Sequence, residues 1–202
     1  MTTRWRRAAA GAAMGIALLA AADARAQDAT QGAPKPPEKR SLEFQVATGP
    51  GAYASSWHGD AQVGQALKLG FRFADLVSVD ALTRLGYATV DDRVITYLSL
   101  GTTIYGRIKR VRPWARLALV HQHEESTSAV RDDPFGALFG VGNGIRHRGG
   151  LGSAVGFDVS VYTDKKAEFV LGADVSGVWF PDPRGPNLYG GGSLWAGLNY
   201  SL

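Results

Sequence analysis

The sequence predicts an all-β protein, a closed antiparallel up-and-down β-barrel of eight strands. Three observations predict it. Beyond residue 40, apolar residues recur at every second position through eight stretches. Charged residues inside those stretches fall on the opposite parity. The final stretch, "LWAGLNYSL" (Leu194 to Leu202), alternates up to its last residue, as a strand does when it pairs with the first strand instead of forming an open edge.

The chain has 202 residues, enough for one domain, with 45% hydrophobic residues, 26 glycines and no cysteine. A disulfide scaffold and thiolate chemistry are thereby excluded. Residues 1–26 read as a secretory signal peptide. Arg4, Arg6 and Arg7 form a basic start, Ala8 to Ala22 an apolar run, and Ala24-Arg25-Ala26 a small-x-small cleavage site. The apolar run is too short for a retained membrane anchor. Removing it takes four basic residues and one acidic residue, so the formal charge of +4 falls to +1 and no general case for nucleic acid remains. Residues 27–40, "QDATQGAPKPPEKR", are polar and proline-rich without periodicity and predict a disordered periplasmic linker.

The domain proper is expected over 41–202. Its apolar positions are Leu42, Phe44 and Val46 in the first strand, and Val63, Leu67, Leu69, Phe71 and Phe73 in the second. Val77, Val79, Ala81, Leu85 and Tyr87 mark the third, and Val94, Leu98, Leu100 and Ile104 the fourth. Ala115, Leu117 and Leu119 mark the fifth, and Leu151, Val155, Phe157, Val159 and Val161 the sixth. Phe169, Leu171, Ala173, Val175 and Trp179 mark the seventh, and Leu194, Ala196, Leu198, Tyr200 and Leu202 the eighth. Most are long enough for a tilted membrane crossing of about 9–11 residues. The opposite parity carries Glu43, Lys68, Arg72, Asp80, Arg84, Arg116, Asp158, Glu168 and Asp174, four basic and five acidic. Glycines such as Gly64, Gly70, Gly86 and Gly101 accompany them, as the concave side of a tight cylinder requires.

Such a sheet closes either with its apolar face inside, as a soluble periplasmic lipid-binding calyx, or with its charges inside, as a transmembrane barrel. Loops and aromatics favour the second. The odd-numbered connections are generally the longer ones: about eleven residues in the first, and Gln122 to Ile145 in the fifth. Short turns on the side of the termini and longer loops on the other match transmembrane barrels. Phe44, Phe71, Phe73, Phe169 and Tyr200 fall near one end of the apolar face, and Tyr87 and Trp179 near the other, as two interfacial girdles. Tyr105, Trp114 and Trp195 fall on the inward parity.

"WAGLNYSL" resembles the C-terminal assembly signal of outer-membrane barrels through Gly197, Tyr200 and Leu202, although Leu replaces the usual terminal aromatic. The region 41–202 accordingly resembles the small eight-stranded outer-membrane barrels, the class of the OmpA membrane domain, OmpX and OmpW. That resemblance implies export through the signal peptide, insertion by the outer-membrane assembly machinery and residence in the outer membrane of a Gram-negative bacterium. The partners expected are outer-membrane lipid and lipopolysaccharide, with no nucleic acid, and the chain is expected to be a monomer.

Eight strands leave an interior just wide enough for side chains. The nine inward charges therefore predict a plugged, ion-paired core, because a lone buried charge is costly. The expected role is non-enzymatic, in envelope structure or surface interaction, with no cofactor. Three features point to alternatives. "HQHEES" places His121, His123 and Glu124 at metal-ligand spacing, beside His58 and His147 elsewhere at the outer rim. Ser126 with a histidine and Glu124 or Glu125 could serve a lipid-modifying hydrolase, a family that shares this scaffold. "DDPFGALFGVGNGIRHR" holds Phe135, Leu138, Phe139 and Val141, an apolar patch or a hairpin extension, and its "GVGNG" lacks the lysine of a phosphate loop. Arg131, Arg146, Arg148 and Arg184 are expected to meet lipopolysaccharide phosphates.

Overall fold

Alternation dictates the local structure, and closure dictates the rest. The computed structural model describes residues 42–141 and 145–202; the expected signal peptide (1–26) and linker (27–40) lie outside the described residues. Eight antiparallel strands follow in order: β1 (Glu43–Ser55), β2 (Ala61–Phe73), β3 (Val77–Ala88), β4 (Arg93–Tyr105), β5 (Val111–Ser126), β6 (Arg146–Thr163), β7 (Ala167–Trp179) and β8 (Leu188–Ser201). Each pairs with its neighbour in sequence, and β8 pairs with β1, so the sheet is a closed barrel. No open edge is left among these strands.

The lower end holds Glu43 and Ser201 and the tight turns. In the β2–β3 turn Ala74 and Asp75 have φ of 50° and 58°, and the Leu76 amide donates to the Phe73 carbonyl at 3.1 Å. Two consecutive left-handed residues match the right-handed twist of the flanking strands. The upper end carries connections at 56–60, 89–92, 127–145 and 180–187. The first is shorter than the sequence suggests, because Pro50 to Ser55 continue β1. The long connection is shorter as well: β5 extends through His121–Ser126, and β6 begins at Arg146. It contains two short helices, α1 (Thr127–Asp132) and α2 (Pro134–Phe139). Ser126 and Asp133 cap them by accepting from the amides of Ala129 and Gly136.

The two faces of the wall differ as their parity requires. Outward residues such as Leu69, Leu100, Leu117, Leu119, Leu171 and Leu194 are exposed, Leu117 by 72%. Phe71, Phe73, Phe169 and Tyr200 ring the lower end, and Tyr87 and Trp179 sit toward the upper end. One register break modifies the sixth strand. A bulge between Ser160 and Tyr162 leaves Val161 and Tyr162 both exposed, and Tyr162 packs on Phe169, the ring centroids 6.1 Å apart. A second irregularity lies on the β1–β8 seam. Pairing there runs Thr48–Ala196 and resumes at Gly51–Ser193. Pro50 has no amide to give, and a Cβ on Gly49 would lie 1.7 Å from the Leu194 carbonyl oxygen, so only glycine fits that approach.

Candidate functional site

All nine inward-parity charges project into the barrel, and they form separate clusters. At the lower end Arg72, fully buried, pairs with Glu43 and lies 3.8 Å from Glu168, which also accepts from Arg112 at 2.7 Å. In the middle Asp80 accepts from Arg116 Nε at 2.6 Å and from the Thr103 hydroxyl at 2.6 Å, with Lys68 Nζ at 3.8 Å. Asp158 and Asp174 accept from the indole N–H groups of Trp114 and Trp195. Arg84 lies between the rings of Tyr53 and Tyr97, at 3.7 and 4.5 Å from their centroids. The inward aromatics thus serve as hydrogen-bond donors and stacking surfaces. Among these groups lies a void of about 70 Å³, lined by Lys68, Arg84, Tyr97, Trp114, Asp158 and Asp174.

The upper mouth holds a cluster at strand ends that the sequence reading places in loops. Glu124 is its hub: it accepts from Arg93 at 2.6 Å, Arg148 and Gln122 at 2.9 Å, Tyr189 at 3.0 Å and Arg146 at 3.4 Å. Arg93 also bonds Asp60 at 2.8 Å, and Arg148 stacks over Phe180 at 4.4 Å and donates to the Pro186 carbonyl. Arg148 is fully buried and so does not stand free for lipid phosphate as the sequence reading expects, while Arg146 leans on Glu124 at 3.4 Å with its side chain still partly exposed. Above the mouth, in the β7–β8 loop, Arg184 grips both oxygens of Asp182. These hydrogen bonds lower the Asp182 carboxyl from its ordinary range to about 2.

The histidines occupy the other side of the wall. Alternation along β5 turns His121 and His123 outward while Gln122 and Glu124 turn inward. Glu124 is therefore separated from the two histidines that the sequence groups with it. Register supplies another partner. His147 of β6 lies directly opposite His123, and one ligand nitrogen from each of His121, His123 and His147 falls within 4.8 Å of the others. The α1–α2 connection folds down over this part of the wall: a Cβ on Gly140 would lie 2.1 Å from His123 Cε1, and His123 is buried. Ser126 is engaged in capping α1 and in a hydroxyl contact with Ser128 at 2.9 Å. His58 lies apart in the β1–β2 loop. At the closing seam Gly197 faces Ala47, Tyr200 faces Phe44, and the Leu202 amide donates to the Leu42 carbonyl at 3.0 Å.

The sequence matches no protein-family model and no curated protein. Solved structures do match. Neisserial surface protein A superposes with a TM-score of 0.53 at 18% identity, over 80% of this chain and 97% of its own. Ail, the attachment invasion locus protein of Yersinia pestis, superposes with a TM-score of 0.51 at 16% identity, over 80% of this chain and 99% of its own. The chain has the fold of the small outer-membrane barrels. In a small-barrel frame, Arg93, Arg112, Glu124 and Arg148 are inward residues that strand-by-strand reading leaves out, because they sit at strand ends assigned to loops. Their signal was parity: Gln122 and Glu124 share the inward class with Arg116.

Proposed function

We propose that the chain is a non-enzymatic integral outer-membrane protein whose interior is closed by side chains and whose upper loops face the cell exterior. The observation that carries this reading is the inside-out wall. A belt of exposed Leu, Val and Phe encircles a closed cylinder whose arginines and carboxylates are buried within it. In water that belt would be a large exposed apolar surface; in a bilayer it is the required one. A soluble lipid-binding calyx needs the opposite distribution.

Residues 1–26 serve export in this reading, and Gly197, Tyr200 and Leu202 serve recognition by the assembly machinery. Lipid and lipopolysaccharide surround a monomer, with Arg131 and Arg184 near the headgroup level. The upper cluster around Glu124 and the middle cluster around Asp80 favour a plugged interior. A void of about 70 Å³ holds a few waters, not a porin-sized channel. The solved structures named above are by name a surface protein and an attachment protein, which favours a surface role over catalysis.

Fractionation tests the location: the protein is expected in detergent-extractable envelope, with heat-modifiable migration in gels and an N-terminus at Gln27. Release into the soluble fraction after osmotic shock would overturn it. Planar-bilayer recording tests the plug, with no steady porin-sized current expected.

A further inference from the structure

Three imidazoles gather on the outside of the wall with no acid among them. His121 and His123 are two apart on β5 and share its outward face, and His147 joins from β6 by register. Their ring centroids are 4.6, 4.6 and 5.5 Å apart. His147 Nδ1 and His121 Nε2 lie 3.4 Å from one another. Two nitrogens bound to one tetrahedral zinc at 2.0–2.1 Å are separated by about 3.3 Å, so that pair already stands at chelating distance. The remaining separations, up to 4.8 Å, close by side-chain rotation.

The cluster is also short of partners. His123 Nδ1 is buried without a hydrogen bond among the described residues, and a buried nitrogen left in that state is unfavourable. Of the two neighbouring carboxylates, Glu124 is on the inner side and already bound by arginine, while Glu125 shares the parity of the histidines and is buried with neither oxygen hydrogen-bonded among the described residues, outside the group of three nitrogens. We propose that His121, His123 and His147 form a binding site for a divalent transition metal, zinc being the reference ion, held by three neutral imidazoles. Imidazole sets suit zinc, copper(II) and nickel, and disfavour magnesium and calcium, which need oxygen ligands. Three protein ligands leave a fourth position open to water or to a group from outside the cell. The site joins β5 to β6 at the foot of the long connection, with Gly140 seated against the His123 ring.

The test uses untagged mature barrel, folded in detergent micelles or nanodiscs, stripped with chelator and titrated with zinc by calorimetry. One equivalent is expected, with a dissociation constant in the micromolar range or tighter. His147→Gln and His121→Gln, both at exposed positions, are each expected to weaken binding by about 100-fold. His58→Gln, away from the cluster, leaves it unchanged. Heat-modifiable migration establishes that every variant is folded. Copper(II) loaded in place of zinc is expected to give an electron paramagnetic resonance spectrum with coupling to several nitrogens, reduced in His147→Gln. Absence of saturable zinc binding below about 100 μM by folded protein overturns the assignment, as does equal binding by the folded His147→Gln variant.

Discussion

The Asp80 cluster inside the barrel and the histidine cluster on its outer wall both crowd titratable side chains, yet they are opposites. Asp80 has Arg116, Thr103, Ser78 and Lys68 around one buried carboxylate. Its charge is matched and its oxygens are occupied. The histidines offer three like groups, one of them with a buried nitrogen that bonds nothing among the described residues. A cluster that satisfies itself holds a structure together; a cluster of metal-ligating imidazoles with a buried nitrogen left unbonded among the described residues is arranged for something that arrives. The difference follows from where alternation sends each side chain, since Gln122 and Glu124 lie between the same histidines and belong to the opposite face.

The contrast can be broken by experiment, and the largest effect is expected inside. Asp80→Ala strands Arg116 in the barrel and should cost about 3–5 kcal/mol, read as a lowered urea midpoint in vesicles. Adding Arg116→Met should recover part of that loss; a single-variant cost under about 1 kcal/mol would mean the middle cluster is water-screened. Next comes the outward wall. Leu117→Arg, at a highly exposed position midway along β5, should cost about 2–4 kcal/mol in a bilayer. An unchanged midpoint would say that this surface never meets hydrocarbon. Smaller still, His147→Gln should shift metal-free stability by no more than about 0.5 kcal/mol while abolishing the rise in melting temperature that zinc gives the parent. The least effect belongs to Asp182. Its folded pKa, about 2, lies below the ordinary carboxylate value of 3.8, so its contribution is present above that value and is lost as pH falls through about 2. Because its partner Arg184 stands in solvent at the loop surface, the pair should leave the unfolding midpoint of Asp182→Asn almost unmoved, while carboxyl NMR of the parent reports the low titration directly.

Period two and the parity of Lys68, Arg72, Asp80 and Arg116 made the faces of the wall legible, because side-chain direction in a strand is fixed by counting. Counting stops where a strand's end is unknown. Arg93, Glu124 and Arg148 were hidden by strands that run beyond the apolar positions, and with them went the upper cluster. His147 was hidden for a different reason. Nineteen residues separate β5 from β6, and nothing local sets the register that places it across from His123. The bulge at Ser160–Tyr162 is likewise a property of two strands together, invisible in either alone.

The gap at Gly49 and Pro50 has a consequence for how the cylinder is made and unmade. The cylinder closes at the joint where its first and last strands meet, the one pairing among the described residues between strands distant in sequence. That joint is also one where the ladder drops rungs midway along its length. A wall in oil cannot borrow rungs from water, so this line is where the tube should part first when it is pulled, heated or threaded into its membrane.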